Sequence, residues 1–210
     1  MRGSSYLSRG AKGYAWYTKY TEQGLDGFRR SVLPSPFEWA KGPVRPRVYL
    51  DLLVDTEPLG SLEFELAEDV VPKTVDNFRR LLLGQGMRYG GYKGTRVHHV
   101  QKGQFIVAGD VTNQEGKGNH SAFAGRFFPD ENFIIPHSTR GLLSMASVGV
   151  HTNGSQFYIG LSHNPHLNGR CVVFGRLSKG LEVLDAIEKL FCFRGAPARS
   201  LTIADCGLTS

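Results

Sequence analysis

Apolar and acidic residues alternate through Ser61-Leu62-Glu63-Phe64-Glu65-Leu66-Ala67, with Leu62, Phe64 and Leu66 on one side and Glu63 and Glu65 on the other. A strand turns successive side chains to opposite faces, so a period of two specifies a sheet with one buried and one wet face. Val48-Tyr49-Leu50-Asp51-Leu52-Leu53-Val54 precedes this run, and Glu57-Pro58-Leu59-Gly60 is expected to turn the chain, so residues 48–67 read as a β-hairpin. The alternation returns in Gly94 to Asp110, GTRVHHVQKGQFIVAGD, as two short strands joined through Gly103. Further strands are expected at CVVFGRL (171–177) and SLTIADC (200–206).

Two segments carry a helical period instead. Pro72 suits a first turn, Val75, Phe78 and Leu82 line one face, and Gly84 can stop the helix. After Gly180, residues Val183, Leu184, Ile187 and Leu190 line one side of a second helix. The 26 glycines are scattered without a period, which suits a β-rich fold with many tight turns. Strands interrupted by two short helices imply a mainly β domain, a closed antiparallel barrel with helices over its ends.

At 210 residues, one such domain plus an appendage is expected, with the boundary near Gly42-Pro43-Val44-Arg45-Pro46. The domain is then 47–210 and the N-terminal extension 1–46. That extension holds eight Lys/Arg against three Asp/Glu, a net of +5, while the remainder is only +1 from 17 basic and 16 acidic residues. The basic balance therefore gives no nucleic-acid face to the main domain. The extension also holds eight aromatics, including Trp16 and Trp39, the two tryptophans of the chain. Disordered tails are poor in aromatics, so this arm is expected to dock on something. Its first 21 residues contain no acid, and Arg2, Ser4, Ser5, Ser8, Arg9 and Lys12 resemble an organelle import segment, here an uncleaved one. A mitochondrial address is expected, with a cytoplasmic one as the alternative. The DGFRRSV stretch (26–32) reads either as a short basic helix for phosphate or lipid or as a solvated charge pair beside Phe28. No run of about 18 apolar residues occurs, so no membrane contact of the barrel is expected. Cys171, Cys192 and Cys206 have no CxxC spacing, which favours a reducing compartment.

The motifs VPKTVDNFRRLL (71–82), GYKGTRVHHV (91–100), FPDENF (128–133), GLLSMASVGVHTNGSQFYIG (141–160), LNGRCVVFGRL (167–177) and LTIADCG (201–207) stand in the order and spacing of the cyclophilins. The resemblance runs from about Arg47 to Leu208. It implies an eight-stranded barrel capped by two α-helices and catalysis of cis/trans isomerisation at X-Pro bonds. That reaction meets a barrier of about 18–20 kcal/mol. It needs an apolar seat for the proline ring and fixed donors that favour the twisted amide. No cofactor is expected.

In the family an arginine is the chief donor, a glutamine helps it, and Phe, Met, Phe and Leu wall the pocket with Trp and His at the rim. Here His99 stands in place of that arginine, within Val97-His98-His99. The pocket Phe-Met pair is Gln104-Phe105, the helper glutamine is Val107, and the second Phe of the SQFF run is Tyr158. The Asn after Ser-Met-Ala is Ser147, and the rim Trp and His are His166 and Cys171. His98, Ala146, Gln156, Phe157 and Leu167 are kept. The expected catalytic set is therefore His99, Gln156 and His98. Ala146, Phe157, Leu167, Phe105 and Tyr158 are expected to bind substrate.

Imidazole titrates near pH 6.5 and lacks the planar fork of guanidinium. Losing one preorganised donor costs about 10²–10³ in rate. Weak or absent turnover follows, and without the rim Trp tight cyclosporin binding is not expected. Adjacent His98 and His99 point to opposite faces of a strand, so they do not share an ion, and His163 and His166 alone make no closed ligand set; no metal is expected. The resemblance and its breaks together imply a degenerate cyclophilin acting as a structural or accessory subunit of a larger, mitochondrial assembly. Its protein partners are engaged through residues 1–46. The alternative is an active isomerase that assists folding on proline-containing peptides.

Overall fold

The first hairpin forms from β1 (Arg47–Val54) and β2 (Glu57–Leu66), in a computed structural model that describes residues 37–39, 43–84 and 88–209. The expectation that 57–60 turns the chain is corrected. Val54 pairs with Glu57, so the turn is Asp55-Thr56, and Glu57 to Gly60 already belong to β2. Asp55 takes the left-handed backbone (φ 56°), and its N–H donates to the Ser200 carbonyl at 2.7 Å. Gly60 serves packing instead. A Cβ there would come within 2.6 Å of Val183 Cγ2, so its bare backbone lets the second helix pack against β2.

The remaining strands are β3 (His99–Gln101), β4 (Phe105–Ala108), β5 (Leu142–Met145), β6 (Phe157–Gly160), β7 (Val173–Lys179) and β10 (Leu201–Thr209). With β1 and β2 they form one eight-stranded antiparallel sheet in the order β10-β1-β2-β7-β5-β6-β4-β3. A separate small hairpin joins β8 (Cys192–Phe193) to β9 (Ala196–Pro197). The sheet curls into a half-barrel, which corrects the expected closed barrel: β10 and β3 are its two edges. The chain just before β3 reaches β10 through the isolated bridge Arg96–Thr202 and through Val97 N–H on the Leu201 carbonyl at 2.8 Å. The three residues of β3 do not extend that ladder, because Val100 N–H donates at 2.7 Å to Gly195 of the small hairpin.

The two helices are α1 (Pro72–Leu83) and α2 (Leu181–Lys189). Helix α1 buries Val75, Phe78, Leu81 and Leu82, and Gly84 closes it by donating to the Arg80 carbonyl at 2.9 Å. It has no acid in its first turn and no capping side chain of its own. Glu131 supplies both from across the fold, accepting from Lys73 N (3.0 Å), Thr74 N (2.7 Å) and Thr74 Oγ1 (2.6 Å). Inside the curl, Phe78 packs against Tyr92, Phe157 and Phe174 at centroid distances of 5.1, 5.3 and 4.9 Å. Among the described residues no helix is long and apolar enough to cross a membrane.

The end of the 1–46 segment is built into this body. Arg45 is 6% exposed, and its guanidinium grips Asp69 through Nε–Oδ1 (2.7 Å) and Nη2–Oδ2 (2.9 Å) and donates to the Trp39 carbonyl at 2.8 Å. The Arg45 and Arg176 guanidiniums lie over the Trp39 ring, at 5.4 and 5.1 Å, with Phe37 edge-on at 5.2 Å. The other aromatics of the arm and the DGFRRSV stretch lie outside the described residues.

Candidate functional site

Register decides which side chains meet. His99 is paired with Val107, Val107 with Tyr158, and Tyr158 with Ser144, a row across β3, β4, β6 and β5. Directly opposed residues of antiparallel strands share a face, so these four point to one side of the sheet. Phe105, two residues from Val107, stands in the next row on that side, and its ring meets Tyr158 at 4.7 Å. Val107 and Ser144 are buried, while His99, Phe105 and Tyr158 are half-exposed. Burial, reinforced by the nearby Cys171 thiol, raises the Tyr158 hydroxyl above its ordinary value, so it stays protonated at neutral pH.

The expected catalytic set splits between two supports. The His99 ring lies on the small hairpin: a Cβ on Gly195 would fall 2.0 Å from His99 Cε1, so only glycine admits the ring there. Gly195 also has φ +85°, which favours the same residue. His98 faces the other way, against Gly116, where an added Cβ would meet His98 Cδ2 at 2.5 Å. Burial pushes His98 below the ordinary histidine value, against the pull of the Asp110 carboxylate, so it is neutral at pH 7. The adjacent pair therefore does not converge. His163 and His166 are exposed near the 3₁₀ turn Pro165–Leu167.

Gln156, 8% exposed, has its amide committed: Nε2 donates to the carbonyls of Gly116 (3.0 Å) and Gly118. The loop that receives it is organised by Asp110. One Asp110 oxygen accepts from Thr112 N (3.0 Å) and Thr112 Oγ1 (2.7 Å), the other from Gly116 N (2.8 Å) and Gly118 N (3.0 Å). Burial would raise this carboxyl, yet the bonds from Thr112, Gly118 and Asn113 hold it below its ordinary value. The turn before β6 is braced from two sides. Asn119 Oδ1 accepts from Ser155 N (2.7 Å) and Gln156 N (3.0 Å), and Asn77 of α1 donates to the Gly154 carbonyl at 2.9 Å. Asp110, Asn119, Asn77 and Gly195 are positioning residues that sequence reasoning missed. Asp110 had a local signal, the Asp-x-Thr spacing of an Asx turn. The other three act across long separations that leave no local signature.

Phe157, expected to bind substrate, is a core residue. It is 0% exposed and packs on Phe78 and Tyr92, because Tyr158 faces outward and its neighbour on the strand must face in. Val97 is likewise in the core at 4% exposure. Ala146 is buried, with its N–H on the Gln156 carbonyl at 2.9 Å, and Leu167 is half-exposed. Gln104 is exposed, and its carbonyl accepts from Leu161 N and Asn164 Nδ2, both at 2.8 Å.

The sequence model for the cyclophilin type peptidyl-prolyl cis-trans isomerase/CLD family matches residues 49–208. This chain belongs to the cyclophilin family. Toward the isomerisation a cyclophilin performs, the outward row offers an aromatic surface in Phe105 and Tyr158 and an imidazole in His99. Val107 supplies no donor, and the Gln156 donors are already used by the loop.

Proposed function

We propose that this cyclophilin is a degenerate isomerase that serves as a structural or accessory subunit of a larger assembly, anchored by its N-terminal arm. One observation carries the reading. At the position of the family's arginine stands His99, seated on Gly195, with apolar Val107 beside it and the Gln156 amide spent on two loop carbonyls. Isomerisation depends on fixed donors that favour the twisted amide over either planar form. An imidazole ring in place of a five-donor guanidinium fork removes most of that preference. The Phe105–Tyr158 surface still offers apolar contact to a proline-containing peptide, so passive binding survives in this reading. The acid-poor, Arg/Ser-rich start of the chain supports a mitochondrial address for the assembly.

An exchange assay on the full chain with an X-Pro peptide tests the first half. The expected rate lies at least about 10²-fold below that of an ordinary cyclophilin. Turnover near the ordinary value overturns the reading and restores an active folding helper. Removing residues 1–36 while keeping Phe37, Trp39 and Arg45 tests the second half: association with partners in native extracts is expected to disappear. Full co-purification of the shortened chain would show that the arm is not the anchor.

A further inference from the structure

Phe191 and Phe193 present their side chains to solvent. Phe191 and Phe193, two apart and on the same side of β8, are 74% and 66% exposed, while Cys192 between them packs against the core. Beyond them the turn is Arg194-Gly195, with φ of 49° and 85°. Paired left-handed residues are the tight two-residue turn that favours Asn-Gly. Arg194 holds that conformation against the preference of a residue with a side chain, and its guanidinium lies 5.4 Å over the Phe193 ring. The hairpin is fixed rather than loose: Ala198 N–H donates to the Phe191 carbonyl at 2.9 Å, and Gly195 accepts from Val100.

Exposed cations stand on the segments that adjoin it, and the carboxylate beside them, Glu188, is taken up by Arg140 and Gly103 N. Lys189 ends α2 just before Phe191. Lys102 stands in the β3–β4 turn, which Glu188 of α2 holds by accepting from Gly103 N at 3.0 Å. Arg96 bridges to β10 beside β3. All three are exposed, and with Arg194 they have no carboxylate partner among the described residues.

We propose that the β8–β9 hairpin is a docking surface for an acidic protein segment that carries an apolar anchor. The anchor lies on Phe191 and Phe193, and its carboxylates meet Arg194, Lys189, Lys102 and Arg96. The unpaired cations decide the occupant, since they repel the arm of the same chain, which carries a net +5 over residues 1–46. Because the hairpin also seats His99, the bound segment lies alongside the outward row. This surface rests on the assembly reading and gives it a second contact besides the arm. Failure to find such a segment leaves the turnover result untouched, so the two are separable.

A display library of random 12-residue peptides is selected against the full chain, and the enriched peptides are measured by fluorescence anisotropy. The expected peptides combine Asp or Glu with an aromatic or aliphatic residue. They are expected to weaken with salt and to lose at least tenfold in affinity for the Phe191→Ser/Phe193→Ser chain. Arg194→Gly is expected to lower affinity while raising Tm, because it relieves the turn, which separates lost contact from lost fold. The proposal is overturned if enriched peptides lack acids, bind the double variant equally, or fail to appear. It is also overturned if phosphatidylserine vesicles, in place of peptides, capture the chain through the two phenylalanines.

Discussion

His99 and His137 show how far a single residue's meaning depends on its seat. His137 is 4% exposed, with Nδ1 on Asn168 Oδ1 at 3.1 Å and no partner for Nε2 among the described residues. Burial pushes its pKa from 6.5 down to about 4, so the folded state prefers the neutral ring. The sign follows from linkage: the unfolded chain takes up a proton as pH falls through 6.5 and the folded chain resists until about 4. The contribution is complete above pH 6.5 and is lost toward pH 4, by about 3 kcal/mol in all. Urea unfolding at pH 7 and pH 4.5 should show this loss, and His137→Gln should flatten that part of the profile. For His99, replacement by Arg alone is expected to raise kcat/KM by at most about 10²-fold. Gln104 and Val107 still lack the family's groups, so the triple change with Gln104→Phe and Val107→Gln should exceed it. Full recovery from His99→Arg alone would show that the remaining groove is sufficient.

Elements here are completed by residues far away in the chain. Helix α1 takes its N-terminal acceptor from Glu131, so Glu131→Gln should cost about 1 kcal/mol, read as a lower urea midpoint with unchanged slope. Nothing in 71–84 announces that dependence; the local signals, Pro72 and Gly84, give only the ends. Strand alternation was legible through 61–67 and across His98-His99, and the same rule separates Phe157 from Tyr158. The motif alone assigns both aromatics to substrate binding, whereas the parity of the strand turns only Tyr158 outward. The turn at Asp55-Thr56 escaped for a different reason. Pro58 and Gly60 look like turn formers, yet Gly60 is required by Val183 of α2, a contact made by a residue more than a hundred positions away.

At the scale of the whole molecule, Arg45 fastens the start of the domain to Glu65 of β2 and to Asp69 between β2 and α1. A chain beginning at Phe37 is therefore expected to be more stable than one beginning at Arg47 by about 2 kcal/mol, because the shorter chain leaves Asp69 and Glu65 without the guanidinium. Equal thermal unfolding of the two would show that the clamp is ornamental. The periodicities of 48–67, 72–84, 94–110 and 171–206 carry strand and helix identity, because the burial of one face imposes a period on the residues themselves. The family was legible from the order and spacing of its motifs, and the proposal that His99 stands where the family has a guanidinium, with the expectation of weak turnover, is drawn from the same motifs. Whether the sheet closed, which side of it received Phe157, where Gln156 aimed its amide and what lay beneath His99 were decided only in three dimensions. Each depends on hydrogen bonds and packing between segments tens of residues apart, and a local pattern contains no information about which distant backbone will be there to meet it.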